Sequence, residues 1–289
     1  MQGTVGVAEI ALVACALPSR NPLPPTDFAL TRLLVGLLLA AVVSLLARRA
    51  GALDRSGAVA ATFSGGIACA AGWSWAALLI TYFVVTSALG RVGAATRQRR
   101  TSGVVAKGGA RDWWQVLANG GVFVVAATLH AAGVTGDAVA ALGAASLAAA
   151  AADSWATEIG TLSGGAPRSV LSFRRVPAGT SGAVSGQGTL AMLAGAAFMA
   201  AAALLLGWPR HLAIPVLLGG IAGAVIDTLA GAMVQARRRC PQCGTSTEQT
   251  RHECGATTEP AGGITWMDND AVNLVCTVAG GLLAVLIVR

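Results

Sequence analysis

Charge is what this sequence lacks most. Of its 289 residues only 11% are Asp, Glu, Lys or Arg, against about 25% in a soluble domain. That shortage excludes an ordinary soluble fold, and a hydrophobic content of 55% excludes a disordered chain. Aromatic residues are scarce too, at 5%. The apolar stretches run on without the alternation that a transmembrane barrel needs. What remains is an all-α, polytopic transmembrane helix bundle. Abundant Ala and Gly, as in Gly65-Gly66 and Ala68 to Gly72, allow close helix contacts.

Familiar catalytic signatures are missing as well. There is no G-x-x-x-x-G-K-[ST] phosphate loop and no kinase H-R-D or D-F-G set. Ser154 follows an acid but has no His near it in sequence, and His130 is expected on the opposite membrane face. The net charge is +7, yet the basic residues are not interleaved with an aromatic surface, so nucleic acid is not an expected partner.

Continuous apolar runs of spanning length give about seven to eight spans, near residues 28–47, 57–72, 74–90, 114–131, 138–157, 187–206, 213–234 and 271–288. The second is short and glycine-rich. Residues 28–289 read as a single transmembrane domain with an insertion at 235–270, preceded by an N-terminal segment, 1–27. Within that segment "VGVAEIALVACALP" is about 14 residues, short for a span. Lacking a basic n-region, it reads as an amphipathic or half-inserted stretch rather than a signal peptide.

Orientation follows from the basic residues. All of the Lys and Arg except Arg20, Arg32, Arg210 and Arg289 fall in four connections: Arg48 to Arg55, Arg91 to Arg111, Arg168 to Arg175 and Arg237 to Arg251. The positive-inside rule puts those connections in the cytoplasm of an inner or plasma membrane protein.

On that topology the intramembrane acids gather at one face. An ionisable residue at the bilayer centre costs about 2.5–3.5 kcal/mol on insertion scales, so Asp153, Glu158 and Asp227 need a reason. Asp112, Gln115 and Asn119 share a helix face at i, i+3 and i+7. "WMDNDAVN" adds Asp268, Asn269, Asp270 and Asn273. Taken singly, an end residue such as Asp112, Asp268 or Glu158 is more simply a helix cap or an arginine partner. Together, carboxylates and amide oxygens suit Mg²⁺, which leaves positions for substrate phosphates. Arg174 and Arg175 suit phosphate oxygens. The loop "PAGTSG", with Thr180 and Ser181, precedes a helix N-terminus that favours an anion. The set points to phosphoryl or nucleotidyl transfer at a membrane surface.

Five ordered motifs carry a resemblance: "LDRSGAVAATFSGGI", "QVLANGG", "ADSWATEIGTLS", "RRVPAGTSGAVS" and "WMDNDAVN". Over about residues 30–288 the chain resembles the integral-membrane family that contains plant and cyanobacterial phytyl-phosphate kinase, together with many uncharacterised members. The resemblance implies a membrane enzyme that moves a phosphate from a nucleoside triphosphate, CTP being the expected one, to an isoprenyl monophosphate. Its motif positions here are Asn119, Asp153, Glu158, Arg174, Arg175, Thr180, Asp227, Asp268, Asn269, Asp270 and Asn273. On this reading Asp153 and Asp227, helped by Glu158 or Asp270, hold Mg²⁺. Lys107, Arg111, Arg174 and Arg175 neutralise phosphate, and Asn119 and Asn273 orient it. Asp153 and Glu158, at i and i+5, lie about 140° apart around a helix. Asp153 is therefore the expected ligand and Glu158 a loop anchor.

"RRRCPQCGTSTEQTRHECGATTEP" is a separate signal. Cys240, Cys243, His252 and Cys254 offer four ligands with a zinc-like opening pair and an unusual second spacing. Free thiols on a mobile loop are the plain alternative. Two other functions stay open: a lipid-phosphate cytidylyltransferase, which would release diphosphate, and a carrier or flippase for a phosphorylated lipid. Transport would call for polar residues continuing to the outer face, where Ala, Val, Leu and Gly dominate instead. Membrane lipids are expected partners, and self-association into a homo-oligomer stays open.

Overall fold

The computed structural model describes residues 25–289 apart from Lys107 and Ser163. The expected half-inserted stretch at 5–18, and Lys107 as a phosphate ligand, lie outside the described residues. Nine α-helices are described: α1 (Pro25–Arg49), α2 (Arg55–Ala71), α3 (Trp73–Arg91), α4 (Ala94–Thr101), α5 (Trp113–Ala131), α6 (Asp137–Leu162), α7 (Gly186–Leu205), α8 (Ala213–Met233) and α9 (Asn269–Val288). Two small antiparallel sheets lie in the connections. One pairs β1 (Arg168–Ser169) with β2 (Ala183–Val184), and the other has the order β4-β3-β5, from β3 (Arg237–Arg239), β4 (Ser246–Thr247) and β5 (Glu259–Gly262).

Among the described residues, seven helices are long and apolar enough to cross a membrane: α1, α3, α5, α6, α7, α8 and α9. The remaining apolar helix, α2, has 17 residues and is about 26 Å long, just short of a hydrocarbon core of about 30 Å. It is nonetheless packed along α1 and α5. Leu38, Leu190, Leu205 and Leu286 are among the large apolar side chains left exposed on the bundle's outside, the surface that lipid covers.

The four basic connections meet at one end. Arg91 donates to the Ala50 carbonyl; the Asp54 amide donates to Arg111 O and the Arg111 amide to Ala52 O, which ties the α1–α2 connection to the residue before Asp112 and α5. The hairpin loop before α7 touches the end of α8, and the sheet after α8 touches the α4–α5 connection. At the other end Trp75 packs on Phe123, His130 and Trp208 with ring centroids 4.7–5.4 Å apart.

Helix α6 is the axis of the bundle, in contact with α3, α5, α7, α8 and α9. Every residue from Gly143 to Ala152 is buried, as expected of a helix that is apolar all round. The small side chains set the spacing. A Cβ added to Gly195 of α7 would stand 2.9 Å from Ala151 O, and one on Gly223 of α8 2.5 Å from the Ala149 Cβ. Neither neighbour can move away cheaply, so these glycines let α7 and α8 lie directly on α6.

The fifth apolar run ends near residue 157, but α6 continues to Leu162. The extra turn is held from outside: Arg100 donates to the Leu162 carbonyl at 2.8 Å, satisfying an end group that the helix cannot pair internally. This shifts Asp153 inward, to about 14 Å along the axis from the helix end.

Candidate active site

Two carboxylates meet in the interior. Asp153 of α6 and Asp227 of α8 lie side by side within hydrogen-bonding reach. Asp227 is about 9 Å along its helix from Met233. Both residues are half-buried, and Asp227 Oδ1 is buried with no hydrogen-bond partner. Adjacent carboxylates repel unless a proton or a cation lies between them.

Glu158 faces elsewhere, as its i+5 spacing requires. Its Oε2 pairs with Arg97 Nε at 2.7 Å, with side chains 14% and 22% exposed for Arg97 and Glu158. Arg97 also donates to the carbonyls of Val92 and Gly90, so the helix α4 that carries it is fastened to the end of α3. Arg111 sits near the same acid and donates to Ser87 Oγ at 3.0 Å.

Tyr82, the one tyrosine in the sequence, closes the α3 side. It is 7% exposed, and its hydroxyl is in hydrogen-bonding contact with Ser154, beside Asp153 and Arg111. Cys276 of α9 completes the wall near both aspartates.

The glycine loop reaches the site from outside. Gly182, at φ +73°, occupies the left-handed region, and any Cβ on it would collide with Ala232. Gly231, one turn beyond Asp227, faces the Gly182 amide at 3.2 Å from where its Cβ would be. These two glycines bring the Ser181-Gly182 backbone to the helix that carries Asp227. Ser181 Oγ donates to Glu248 Oε1 at 2.5 Å, and Gln235 Nε2 donates to the same oxygen at 2.7 Å. Burial pushes the Glu248 carboxyl above its ordinary range, and the charges of Asp268 and Asp270 add to the shift. Hydrogen bonds from Ser181 and the Ala106 backbone pull the other way.

Several expected residues fall outside this cluster. Asp112 caps α5 in a capping box with Gln115, and Asp268 caps α9 through the Ala271 amide at 2.9 Å. Asn119 donates to the Gln115 carbonyl of its own helix, and Thr180 to the Pro177 carbonyl. Asn273 is half-buried on α9. Asp270, 1% exposed, is grouped with Glu248 and Asp268. The residue of α9 that meets the aspartate pair is Cys276, about 9 Å further along the helix. Arg174 and Arg175 are exposed on the β1–β2 hairpin, beside an open cavity of about 480 Å³ lined by Arg168, Phe173 and Ser185.

Tyr82, Arg97, Glu248 and Cys276 are in the cluster without having been expected there from the sequence. A lone tyrosine inside an aliphatic span was an available signal for the first. Arg97 lies within an arginine run and Glu248 in a polar loop, and nothing local marks their destinations.

The oxygen-only donor set of Asp153 and Asp227, with a buried oxygen lacking a partner, fits a hard divalent cation such as Mg²⁺. A bundle with a buried acidic pair at its arginine-rich end defines a polytopic membrane protein with a one-sided polar site. More particularly, residues 38–281 match the family described as integral membrane protein DUF92, and the chain belongs to that family. It is 29% identical over 278 residues to Protein PGR of Arabidopsis thaliana, covering 84% of this chain and 92% of that one. It is also 29% identical over 259 residues to an uncharacterised membrane protein of Methanocaldococcus jannaschii, covering 89% and 95%. No solved structure matches the chain.

Proposed function

We propose that the protein is a membrane-embedded kinase that transfers the terminal phosphate of a nucleoside triphosphate, with CTP the favoured donor, to an isoprenyl monophosphate. The observation that carries this reading is the contact between Asp153 and Asp227 inside the bundle, placed at the end where arginines converge. Magnesium bound by this pair would neutralise and align the phosphates of the donor.

The chain's own residues supply the rest. Phosphoryl transfer depends mainly on positioning and charge stabilisation, and the acceptor is an ionised phosphate oxygen that needs no strong base. That oxygen attacks the terminal phosphorus, the bridging bond to the next phosphate breaks, and the nucleoside diphosphate leaves with the electron pair. Arg111, which lies beside Glu158 and Tyr82, would steady the developing charge. The Ser181-Gly182 backbone lies one turn from Asp227 and can donate to a phosphate. The prenyl tail would remain in the bilayer against the small-residue faces, and the arginine-rich end would face the cytoplasm.

The test uses purified full-length protein in detergent with Mg²⁺, phytyl, geranylgeranyl and farnesyl monophosphates, and labelled CTP, UTP, ATP or GTP. The expected product is a prenyl diphosphate with release of nucleoside diphosphate. Release of inorganic diphosphate with a cytidylylated lipid would replace the kinase by a cytidylyltransferase. Lipid-phosphate movement across liposomes with no bond broken would replace it by a carrier.

A further inference from the structure

The 235–270 insertion holds a second polar constellation that the phosphoryl-transfer reading does not use. Cys240 lies at the end of the strand β3, in the turn before β4, and Cys243 in the same turn. His252 and Cys254 lie in the turn between β4 and β5. One ligand atom from each of the four falls within 4.8 Å of all the others. The Sγ atoms of Cys240 and Cys254 are 3.5 Å apart, and His252 Nδ1 is 3.2 Å from Cys254 Sγ.

These distances have a simple geometric reading. With Zn–S near 2.3 Å and Zn–N near 2.0 Å, the edges of a tetrahedron are about 3.8 Å for S···S and about 3.5 Å for S···N. The observed separations sit close to those edges and far beyond the S–S bond length of about 2.05 Å in a disulfide. The Cys243 backbone N–H donates to Cys240 Sγ at 3.4 Å, an orientation that stabilises a thiolate. The other ring nitrogen of His252 lies toward Gly103 on the α4–α5 connection. Three sulfurs and one imidazole nitrogen, four protein ligands in all, form the donor set of a structural zinc rather than a catalytic one.

The loop that this site closes is the one that delivers Glu248. Between Cys243 and His252 the chain runs as a strap across the α4–α5 connection. Glu248 N–H donates to Val104 O at 2.8 Å, Thr247 Oγ1 to the same oxygen at 3.3 Å and Gln249 Nε2 to Val105 O at 3.0 Å. The Glu248 side chain then reaches Ser181 of the glycine loop. We infer that Cys240, Cys243, His252 and Cys254 bind one Zn²⁺, which clips this strap shut and makes Glu248 a positioning residue for the Ser181-Gly182 loop. Binding replaces up to three thiol protons by the metal, with no change of oxidation state. The role given to Glu248 rests on the phosphoryl-transfer reading, whereas the metal site does not.

Full-length protein purified in detergent is expected to carry about one zinc per chain by elemental analysis, with iron, nickel and copper at trace level. Exchange to Co²⁺ should give the intense visible bands and thiolate charge transfer of a tetrahedral S₃N site. Cys240→Ser and His252→Ala should each lower zinc content at least about fivefold, while Cys254→His, which keeps four ligands, should retain it. Zinc below about 0.2 per chain that a stoichiometric addition does not restore, or iron in its place, overturns the site. If Cys240→Ser cannot be extracted, the wild-type cobalt spectrum decides alone. Stripping the zinc should speed hydrogen exchange at the Glu248 amide at least about tenfold. Unchanged exchange after complete zinc removal overturns the clip. Both readouts are independent of whether a prenyl phosphate is ever phosphorylated.

Discussion

Asp153 and Asp227 approach each other across the interface of α6 and α8, where the nearest packing partners are alanines and glycines. Neither helix alone reveals the pair, and each acid alone would be a costly accident of sequence. Asp153→Asn and Asp227→Asn are expected to lower prenyl-phosphate phosphorylation by at least about 100-fold, the scale of losing one charge-stabilising group. Each variant should still be extracted and should melt no lower than wild type, because one of two repelling charges is gone. Full activity in both would remove the pair from the site.

Arg97 and Glu158 join α4 to α6 in a pair that is mostly shielded from water. Arg97→Ala leaves Glu158 without that partner and should cost about 1–3 kcal/mol, the penalty for a largely buried group that loses its bond. Glu158→Gln should cost less, and the double variant should be less destabilised than the two losses combined. Additive losses in a thermal double-mutant cycle would show that the pair is not coupled.

Tyr82 presents its hydroxyl to Ser154 next to Asp153. Tyr82→Phe keeps the ring that α3 packs against the bundle and removes one hydrogen bond. A fall in kcat of up to about fivefold, matching about 1 kcal/mol, is expected with KM for the nucleotide little changed. A purely structural role would instead lower the melting temperature and leave kcat intact.

Asp54 caps α2, and the Gly57 amide with the Ser56 hydroxyl holds its carboxyl below the ordinary value of 3.8. A lowered folded value means that the charged cap stabilises the protein above the unfolded value and that this contribution disappears as pH falls through the folded one. Asp54→Asn retains an acceptor without the charge. The gap in melting temperature between wild type and Asp54→Asn should therefore be constant near neutrality and shrink below pH 4. A gap that persists to the lowest pH reached would assign the difference to something other than ionisation.

Much of the architecture was legible because bilayer length and arginine placement are both written locally. The runs ending at 47, 90, 131 and 206 match described helices within a few residues. The end of α6 was not legible, since the carbonyls of its last turn are satisfied by Arg100 from another element. For the site, spacing alone separated the roles of Asp153 and Glu158, and the structure gives them different partners. Capping by Asp112 and Asp268 was the simpler reading of each taken singly, and the structure shows it, but nothing local showed that Arg97 would reach Glu158 or that Glu248 would cross to Ser181. Such facts depend on how distant segments fold back, and no periodicity encodes that.

Trp75 and the tilted rings of Phe123, His130 and Trp208 around it lie at the end of the bundle away from the carboxylates. Trp75, Phe123 and Trp208 are buried there, so the ring cluster fills that end of the bundle. On the proposed reading, substrate would then reach and leave the carboxylates from the arginine-rich side alone.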